Sequence, residues 1–375
     1  MQVYRRGDHG PAIAEIRDKL ARLDLLHPTD GDEDVFDDAV DHAVRSFQQH
    51  RGLRVDGVVG PETYRVLDEA RWRLGDRLLS HAIAHPFMGD DVAALQQRLL
   101  EMGFDPGRCD GRFGGRTEAA LREFQRNVGL TADGILGPTT LAALQRLRRT
   151  VTGGSPSERR EEEQLLRGGS ALTGRVVVLD PGHGGEDLGA CAHGLAESEV
   201  ALDLAARVEG RLGALGVDTF LTRGEHTGPE EEDRARFANS VGADLLLSLH
   251  TDAALSDRPC GVATYYYGAS LRGGPVRSIV GERLATLVQN EIVARTDLLD
   301  CRIHPKTWQL LRLTRMPAVR IDVGYLTHAG DAARLGAPEF RDAVAEAIVA
   351  AVQRVYLPED SDIATGQFRM PALSR

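Results

Sequence analysis

Several features are scarce in this chain of 375 residues, and each scarcity narrows the class of protein. It has only four cysteines, and no two of them form a CxxC pair, so we expect reduced thiols. Cys260 and Cys301 could still pair if the fold brings them together. No apolar run is long enough for a membrane helix, and the N-terminus lacks the apolar segment of a signal peptide. These absences predict a cytoplasmic protein without a transmembrane segment.

Basic residues are also in the minority. The chain has 45 Lys and Arg against 56 Asp and Glu, which gives a formal net charge of -11. Nucleic acids and anionic membranes attract basic surfaces, so this balance predicts neither as the main partner. The composition is 42% hydrophobic and 27% charged, which is typical of a globular protein, and the length suggests two or three domains.

An internal repeat dominates the first 150 residues. Residues 43–67 align without gaps on residues 120–144, and about half of the aligned positions are identical. The shared pattern Asp-Gly-x-x-Gly-Pro-x-Thr resembles the small three-helix PG_binding_1 domain, which occurs beside cell-wall hydrolases. The resemblance implies two small all-α helical-bundle domains, at 1–73 and 80–149, that bind peptidoglycan or muropeptides. An alternative is that the Asp, Gly and Pro residues of the motif only form turns.

The second half of the chain contains two strand-like segments that end in histidine. The stretch at 176–190, VVVLDPGHGGEDLGA, predicts a buried strand that delivers His183 into a glycine-lined turn. A phosphate loop fits poorly there, because Asp187 stands where GxGxxG needs its last glycine. A second strand ends at His250, and Glu197 lies near the start of a predicted helix. Two histidines and one glutamate are the ligand set of a catalytic zinc site.

These segments also carry a family resemblance. DPGHGGEDLGA, GLAESEVALDLA, TRGE, RARFANSVGADLLLSLHTDA, GVATYYYG and RMPAVRIDVGYLTH follow one another between about 172 and 357. Their order and spacing resemble those of the zinc-dependent N-acetylmuramoyl-L-alanine amidases of the Amidase_3 type. The resemblance implies that His183, Glu197 and His250 bind Zn²⁺, with Glu199 as the rival carboxylate. Two repeats followed by such a domain, without a signal peptide, also resemble a group of actinobacterial amidase homologues.

The sequence departs from the family pattern at its catalytic position. The family has a glutamate where this chain has Asp322, in the segment PAVRIDVGYL. Aspartate withdraws the carboxylate by roughly 1 to 1.5 Å, about one carbon–carbon bond, and a misplacement of that order can cost about 100-fold in rate. We expect Asp322 to be the catalytic residue, working slowly or not at all, and Asp322→Glu to raise turnover. Lesser departures occur at Asp252, Ala263 and His328.

The resemblance implies an α/β amidase domain at 172–357, preceded by a linker at 150–171 and followed by a mobile tail at 358–375. Alternating strands and helices predict a largely parallel, helix-covered sheet of about six strands. The strands are predicted at 176–180, 218–222, 245–250, 261–267, 309–313 and 318–323.

Two functions remain open from the sequence alone. The first is an amidase that cleaves the amide between N-acetylmuramic acid and L-alanine of the stem peptide. The second is a cytoplasmic homologue of weak or no activity that binds peptidoglycan precursors or a cell-wall synthesis protein and regulates cell-wall synthesis. The histidine and glutamate set favours the first, and Asp322 favours the second.

Overall fold

The computed structural model describes residues 3–27, 31–82, 84–147, 156–166, 169, 171–271 and 274–356. The predicted tail and much of the predicted linker lie outside these residues. The chain divides into two compact units, Met1–Arg160 with Gly268–Val276, and Glu161–Tyr267 with Arg277–Arg375. Within the described ranges, no helix has both the length and the apolar character that a membrane crossing requires.

The first unit is built from two groups of three helices. They are α1 (Pro11–Arg22), α2 (Asp38–His50), α3 (Pro61–Ala70), α4 (Asp90–Glu101), α5 (Gly115–Asn127) and α6 (Pro138–Arg146). Each group buries its own apolar cluster, one around Phe47 and the other around Phe124. Pro61 and Pro138 begin α3 and α6, where the missing backbone N–H costs no helical hydrogen bond. The two predicted helical bundles are therefore present.

The repeated Asp-Gly motif has a structural role. In the second bundle, the buried Gln125 side chain donates to Asp133 at 2.7 Å and to Thr140 at 3.1 Å. Its amide oxygen accepts from the backbone N–H of Gly134 at 2.9 Å. Gln48 makes the equivalent bonds to the first Asp-Gly turn. The motif thus closes a turn between two helices, as the alternative reading of these residues predicted.

A third copy of this network was not found in the sequence. Gln96 on α4 bonds Asp110, Thr117 and the backbone of Gly111 in the same way. In the first bundle, Arg17 on α1 donates instead to the backbone oxygen of Val35 and to Asp37. Among the described residues, the glutamine-centred network thus occurs at Gln96 and Gln125 in the second bundle and at Gln48 in the first.

Replacing Gln125 with alanine should destabilise the second bundle. The change removes a 1% exposed side chain together with its hydrogen bonds, and leaves buried partners unsatisfied. We expect the free energy of unfolding to fall by about 2–4 kcal/mol, because each orphaned buried group costs about 1–3 kcal/mol. Urea denaturation measures this, with half-buried Gln97→Ala as the control. Equal stabilities of the two variants would contradict a structural role for the network.

Most of a seven-stranded sheet belongs to the second unit. Its strands are β1 (Val176–Pro181), β4 (Asp218–Leu221), β5 (Leu245–Asp252), β6 (Val262–Leu271), β7 (Gly274–Arg277), β8 (Asp300–Lys306) and β9 (Ala318–Tyr325), and β2 (Cys191–Ala192) with β3 (Leu195–Ala196) form a separate ribbon. The sheet order is β4-β1-β5-β9-β6-β7, and β8 pairs with β6. The β1, β4, β5 and β9 strands run parallel, whereas β6 is antiparallel to β9. The largely parallel sheet predicted from the sequence is confirmed.

The remaining helices pack around this sheet. They are α7 (Pro156–Leu166), α8 (Glu197–Ala214), α9 (Glu231–Ser240), α10 (Ile279–Arg295), α11 (Gln309–Leu313), α12 (Ala329–Gly336) and α13 (Pro338–Val355). The α8, α10 and α13 helices share the main apolar core with one face of the sheet, including Leu179, Leu247 and Ile321. Because side chains alternate along a strand, the neighbouring residues Asp180, Ser248 and Arg320 lie on the other face. The polar side chains of Asp180, Ser248 and Arg320 therefore lie on the face of the sheet opposite these three helices.

One strand prediction was wrong, and four strands were missed, namely β7 and β8 of the sheet and the short ribbon strands β2 and β3. Residues 309–313, predicted as a strand, form the short helix α11. A short apolar run does not distinguish a buried strand from a helix, and QLLRL is rich in helix formers. The strand beside β6 is instead β8, at Asp300–Lys306, which includes Pro305. Proline is tolerated at the edge of a sheet, and its presence there hides such a strand from pattern analysis.

Candidate metal centre

Three predicted side chains meet at the carboxyl ends of β1 and β5. His183 follows β1, Glu197 is the first residue of α8, and His250 lies in β5. Each offers a ligand atom, and these atoms all lie within 4.8 Å of one another. The Nε2 atom of His183 is 3.2 Å from one Glu197 oxygen, and Nδ1 of His250 is 2.9 Å from the other. Two imidazoles thus converge on one buried carboxylate.

Each member of the cluster is oriented by further contacts. The Nδ1 atom of His183 is 2.7 Å from Asp187, which leaves Nε2 directed at Glu197. Glu197 also accepts backbone N–H groups of Ala190 at 3.0 Å and Thr251 at 3.2 Å. A histidine that binds a metal usually bonds a carboxylate through its other nitrogen. The contact between Asp187 and His183 is not evident from the sequence motifs, where Asp187 only excludes a phosphate loop.

The turn that carries His183 is held in an unusual conformation. His183 has a φ of 58°, in the left-handed region that non-glycine residues seldom adopt. Arg234 donates to the backbone oxygen of His183 at 2.6 Å, and Arg223 donates to that of Gly182 at 2.8 Å. Arg234 also pairs with the buried Asp180 at 3.0 Å. These two buried arginines tie the turn to its surroundings, and such a strained backbone is typical of a functional site.

Gly182 gives the His250 ring its space. A Cβ added at Gly182 would overlap that ring. We expect Gly182→Ala to displace His250 and to lower the affinity of the cluster for a divalent metal by about 10–100-fold, the range found when contacts around metal ligands are lost. Gly224→Ala is the control, because a Cβ there meets nothing within 4 Å. Chelator competition measures both affinities, and an unchanged value for Gly182→Ala would show that His250 does not need this close approach.

The electrostatics of the cluster suit a metal. Burial raises the pKa of the Glu197 carboxyl, but hydrogen bonds from His183 and His250 outweigh burial and hold the pKa well below its ordinary value. Burial, together with the Arg320 cation, lowers the pKa of His250 to about 4. At neutral pH the glutamate is therefore ionised and His250 is neutral, which are the forms that bind metals. The hydrogen bond to Glu197 raises the pKa of His183.

If the cluster binds a metal, its affinity for that metal should depend on pH through His183. Its pKa is raised above the ordinary value of about 6.5, so a proton competes with the metal even near neutrality. We expect affinity to fall as pH is lowered from 8 to 6, by up to about tenfold per unit below that pKa, because binding requires the neutral imidazole. Chelator competition at several pH values measures this effect. An affinity that stays constant over this interval would contradict binding by His183.

Asp322 lies on the strand next to His250. The two residues are paired in the parallel register of β5 and β9, so their side chains share one face of the sheet. Asp322 is 4% exposed. Burial raises the pKa of its carboxyl to about 6, although the Arg320 cation opposes this rise. The Nε atom of Arg320 donates to Asp322 at 2.7 Å.

A cavity of about 230 Å³ opens beside the cluster. Its wall includes His183, His250, Ser248, Arg320 and Trp308. Pockets that enclose a drug-sized ligand usually measure about 300–1,000 Å³, so this cavity suits part of a larger substrate. Its polar floor and aromatic wall offer both hydrogen bonds and apolar contact.

The other candidate residues take less direct positions. Glu199 is exposed on α8, away from the cluster that contains Glu197. Ala263 pairs with Asp322 across β6 and β9. His328 accepts the backbone N–H of Asp331 and caps α12. The four cysteines, all among the described residues, form no disulfide, and Cys301 lies with its Sγ 3.2 Å from the backbone oxygen of Cys260.

Comparison with known proteins identifies the family. The Amidase_3 family, N-acetylmuramoyl-L-alanine amidase, matches residues 177–354, and PG_binding_1, a peptidoglycan binding domain, matches 9–67 and 88–144. The chain is 47% identical to the N-acetylmuramoyl-L-alanine amidase CwlM of Mycobacterium tuberculosis, over 98% of this chain and 93% of that protein. It is 31% identical to the amidase LytC of Bacillus subtilis, over 53% of this chain and 38% of that protein.

Among solved structures, the amidase AmiC2 of Nostoc punctiforme is 32% identical, with a TM-score of 0.44. That match covers 48% of this chain and 96% of AmiC2. The extent and identity of the CwlM match establish the family that the sequence motifs predicted. The chain belongs to the N-acetylmuramoyl-L-alanine amidase family of hydrolases, with two peptidoglycan-binding domains ahead of its amidase domain.

Proposed function

We propose that this protein is a zinc-dependent amidase that cleaves the amide between N-acetylmuramic acid and L-alanine of peptidoglycan or its fragments. The observation that carries the proposal is the convergence of His183, Glu197 and His250, whose ligand atoms lie within 4.8 Å of one another. Two imidazole nitrogens and one carboxylate oxygen form a donor set that suits zinc. The outer contact from Asp187 to His183 supports the same metal.

Zinc bound there supplies a Lewis acid that polarises the amide carbonyl and makes water a better nucleophile. Asp322 is the acceptor for the proton that water gives up, and it passes that proton to the departing amine of L-alanine. The turn held by Arg223 and Arg234 fixes His183 in place. The cavity beside the histidines takes the substrate group next to the scissile amide. Asp322 therefore transfers the proton, whereas the other residues serve in binding and orientation.

We further propose that the two helical bundles bring the hydrolase to its polymer. Domain limits of 1–73, 80–149 and 172–357 are part of this proposal, with peptidoglycan or muropeptides as the ligand. The motif aspartates Asp56 and Asp133 bond the Gln48 and Gln125 side chains within the turns rather than offer free groups to a ligand. The recognition surface therefore lies on other residues of the bundles.

A second function is favoured by one observation. The Asp322 carboxylate, already one methylene shorter than glutamate, is paired with Arg320 inside the protein. The pair keeps both carboxylate oxygens turned toward the guanidinium and away from an attacking water. This favours a protein that binds muropeptide precursors or a cell-wall synthesis protein with little turnover. The cytoplasmic location predicted from the sequence belongs to this second proposal.

Turnover by the purified protein decides between the two functions. The zinc-loaded protein is incubated with a muramyl peptide, and the newly freed amino group of L-alanine is measured. We expect slow release that stops on chelation and returns when zinc is added. Zinc binding without any release of the peptide would contradict the amidase proposal and leave the binding function.

A further inference from the structure

Arg320 occupies a notable position beside the candidate catalytic carboxylate. Arg320 and Asp322 are two residues apart on β9, so both side chains lie on the polar face of the sheet. Nε of Arg320 is 2.7 Å from Oδ1 of Asp322, and Nη2 is 3.4 Å from Oδ2. Both carboxylate oxygens therefore face the guanidinium.

The guanidinium is itself fixed by an aromatic ring. Arg320 lies over the Trp308 ring, with its Cζ 4.5 Å from the ring centroid. The ring centroids of Tyr265 and Trp308 are 4.8 Å apart. Tyr265 also pairs with Arg320 across β6 and β9. Stacking on an aromatic face suits a planar guanidinium and limits its movement. The guanidinium of Arg320 thus packs against the Trp308 ring and also donates a hydrogen bond to Asp322.

Arg320, rather than Asp322, faces the cavity. Among the described residues, the wall of the 230 Å³ cavity includes Arg320 with both histidines, but it does not include Asp322. The side chain of Arg320 is 22% exposed and that of Asp322 only 5%. A proton acceptor must come within about 2.6–3.2 Å of the proton that it takes. To do so, Asp322 would have to leave its partner Arg320.

We propose that Arg320 is a positioning residue that holds the carboxylate at position 322 away from the metal ligands. The ion pair, as well as the missing methylene, then limits turnover. This inference rests on the proposed amidase function. It also replaces the expectation from the sequence that Asp322→Glu raises turnover by itself. With Arg320 present, Asp322→Glu recovers little activity, because the longer carboxylate can still bond the guanidinium.

A double-mutant cycle on the full-length, zinc-loaded protein tests the inference. The variants are Arg320→Leu, Asp322→Glu and the two changes combined, assayed on a muramyl peptide. We expect the combined variant to exceed the product of the single effects on kcat by at least about tenfold, since misplaced groups can cost about 100-fold. KM is measured for each variant as well, because Arg320 lines the cavity and its removal also alters the substrate pocket, and the predicted synergy is in kcat. Arg320→Lys with Asp322→Glu keeps the cation and should stay slow.

Two kinetic results would overturn the proposal. The same kcat for Asp322→Glu with and without Arg320 would show that no restraint exists. A lower kcat on removing Arg320 from the Asp322→Glu variant would show that the cation assists the chemistry instead.

Crystal structures of the zinc-loaded variants separate this inference from the proposed function. With Arg320 present, we expect the glutamate introduced at position 322 to lie within about 3.2 Å of the guanidinium, the limit of a good hydrogen bond. With Arg320→Leu, it should turn toward the three metal ligands. The same carboxylate position in both crystals would overturn the restraint. If no variant frees the amino group of the L-alanine that begins the peptide, the amidase proposal fails, and the crystals still decide the role of Arg320.

Discussion

Replacing Glu197 with glutamine is expected to remove zinc binding and amide hydrolysis together. Glu197 contacts both histidines, and its two oxygens are the only carboxylate oxygens among the three clustered residues. Glutamine has nearly the same shape but carries no charge, so it is a much weaker ligand for zinc. We expect affinity to fall by more than about 100-fold, because even changes to contacts around a ligand cost roughly 10–100-fold.

The chain offers a matched control for this experiment. Glu199 lies in the same first turn of α8, but its side chain is exposed. Glu199→Gln makes the same chemical change on the same helix and should leave zinc content and turnover unchanged. Metal analysis after dialysis, followed by the muramyl peptide assay, compares the two variants. Similar zinc affinity in both would exclude Glu197 as a ligand.

Asp322→Asn is expected to abolish turnover while leaving zinc bound. Asparagine keeps the shape of aspartate but cannot accept a proton, and general base catalysis typically contributes about 10²–10⁴-fold. Because Asp322 is not one of the three clustered residues, zinc affinity should change little. The kcat of the wild-type protein and of the variant, measured at equal zinc content, tests this directly.

The control for Asp322→Asn is Asp257→Asn, a change in an exposed loop residue. It should leave kcat within about twofold, as surface substitutions away from special features usually have small effects. Equal kcat values for wild type and Asp322→Asn would show that another group takes the proton. The amidase proposal would then survive, but Asp322 would lose its catalytic assignment.

The sequence predicted the core of the site because its geometry follows from chain order. His183 closely follows β1 and His250 lies near the end of β5, and these parallel strands end at the same edge of the sheet. Glu197 could be chosen over Glu199 from the family pattern, and the structure places Glu197 inside the cluster and Glu199 in solvent. The motifs in strands and at helix starts were thus sufficient to predict that three residues far apart in the sequence meet at one site.

Other features depend on contacts that pattern analysis does not contain. The alternation of a strand places Arg320 and Asp322 on one face, but the ion pair between them depends on Trp308 and the neighbouring strand. The Asp110-Gly111 turn is visible in the sequence, but the role of Gln96 in holding it depends on contacts across fourteen or more residues. The β8 strand was missed because its charged residues and Pro305 conceal an edge strand. All three features depend on tertiary contacts, which local sequence patterns do not show.

Anomalous diffraction at the zinc absorption edge, from crystals of the full-length protein grown with zinc, tests the central claim most directly. The account predicts one strong peak between His183, Glu197 and His250, with ligand atoms about 2.0–2.2 Å from the ion. The Nδ1 atom of His183 should still contact Asp187, as it does now at 2.7 Å. Crystals that contain zinc elsewhere, or that show these three side chains without a peak, would contradict it.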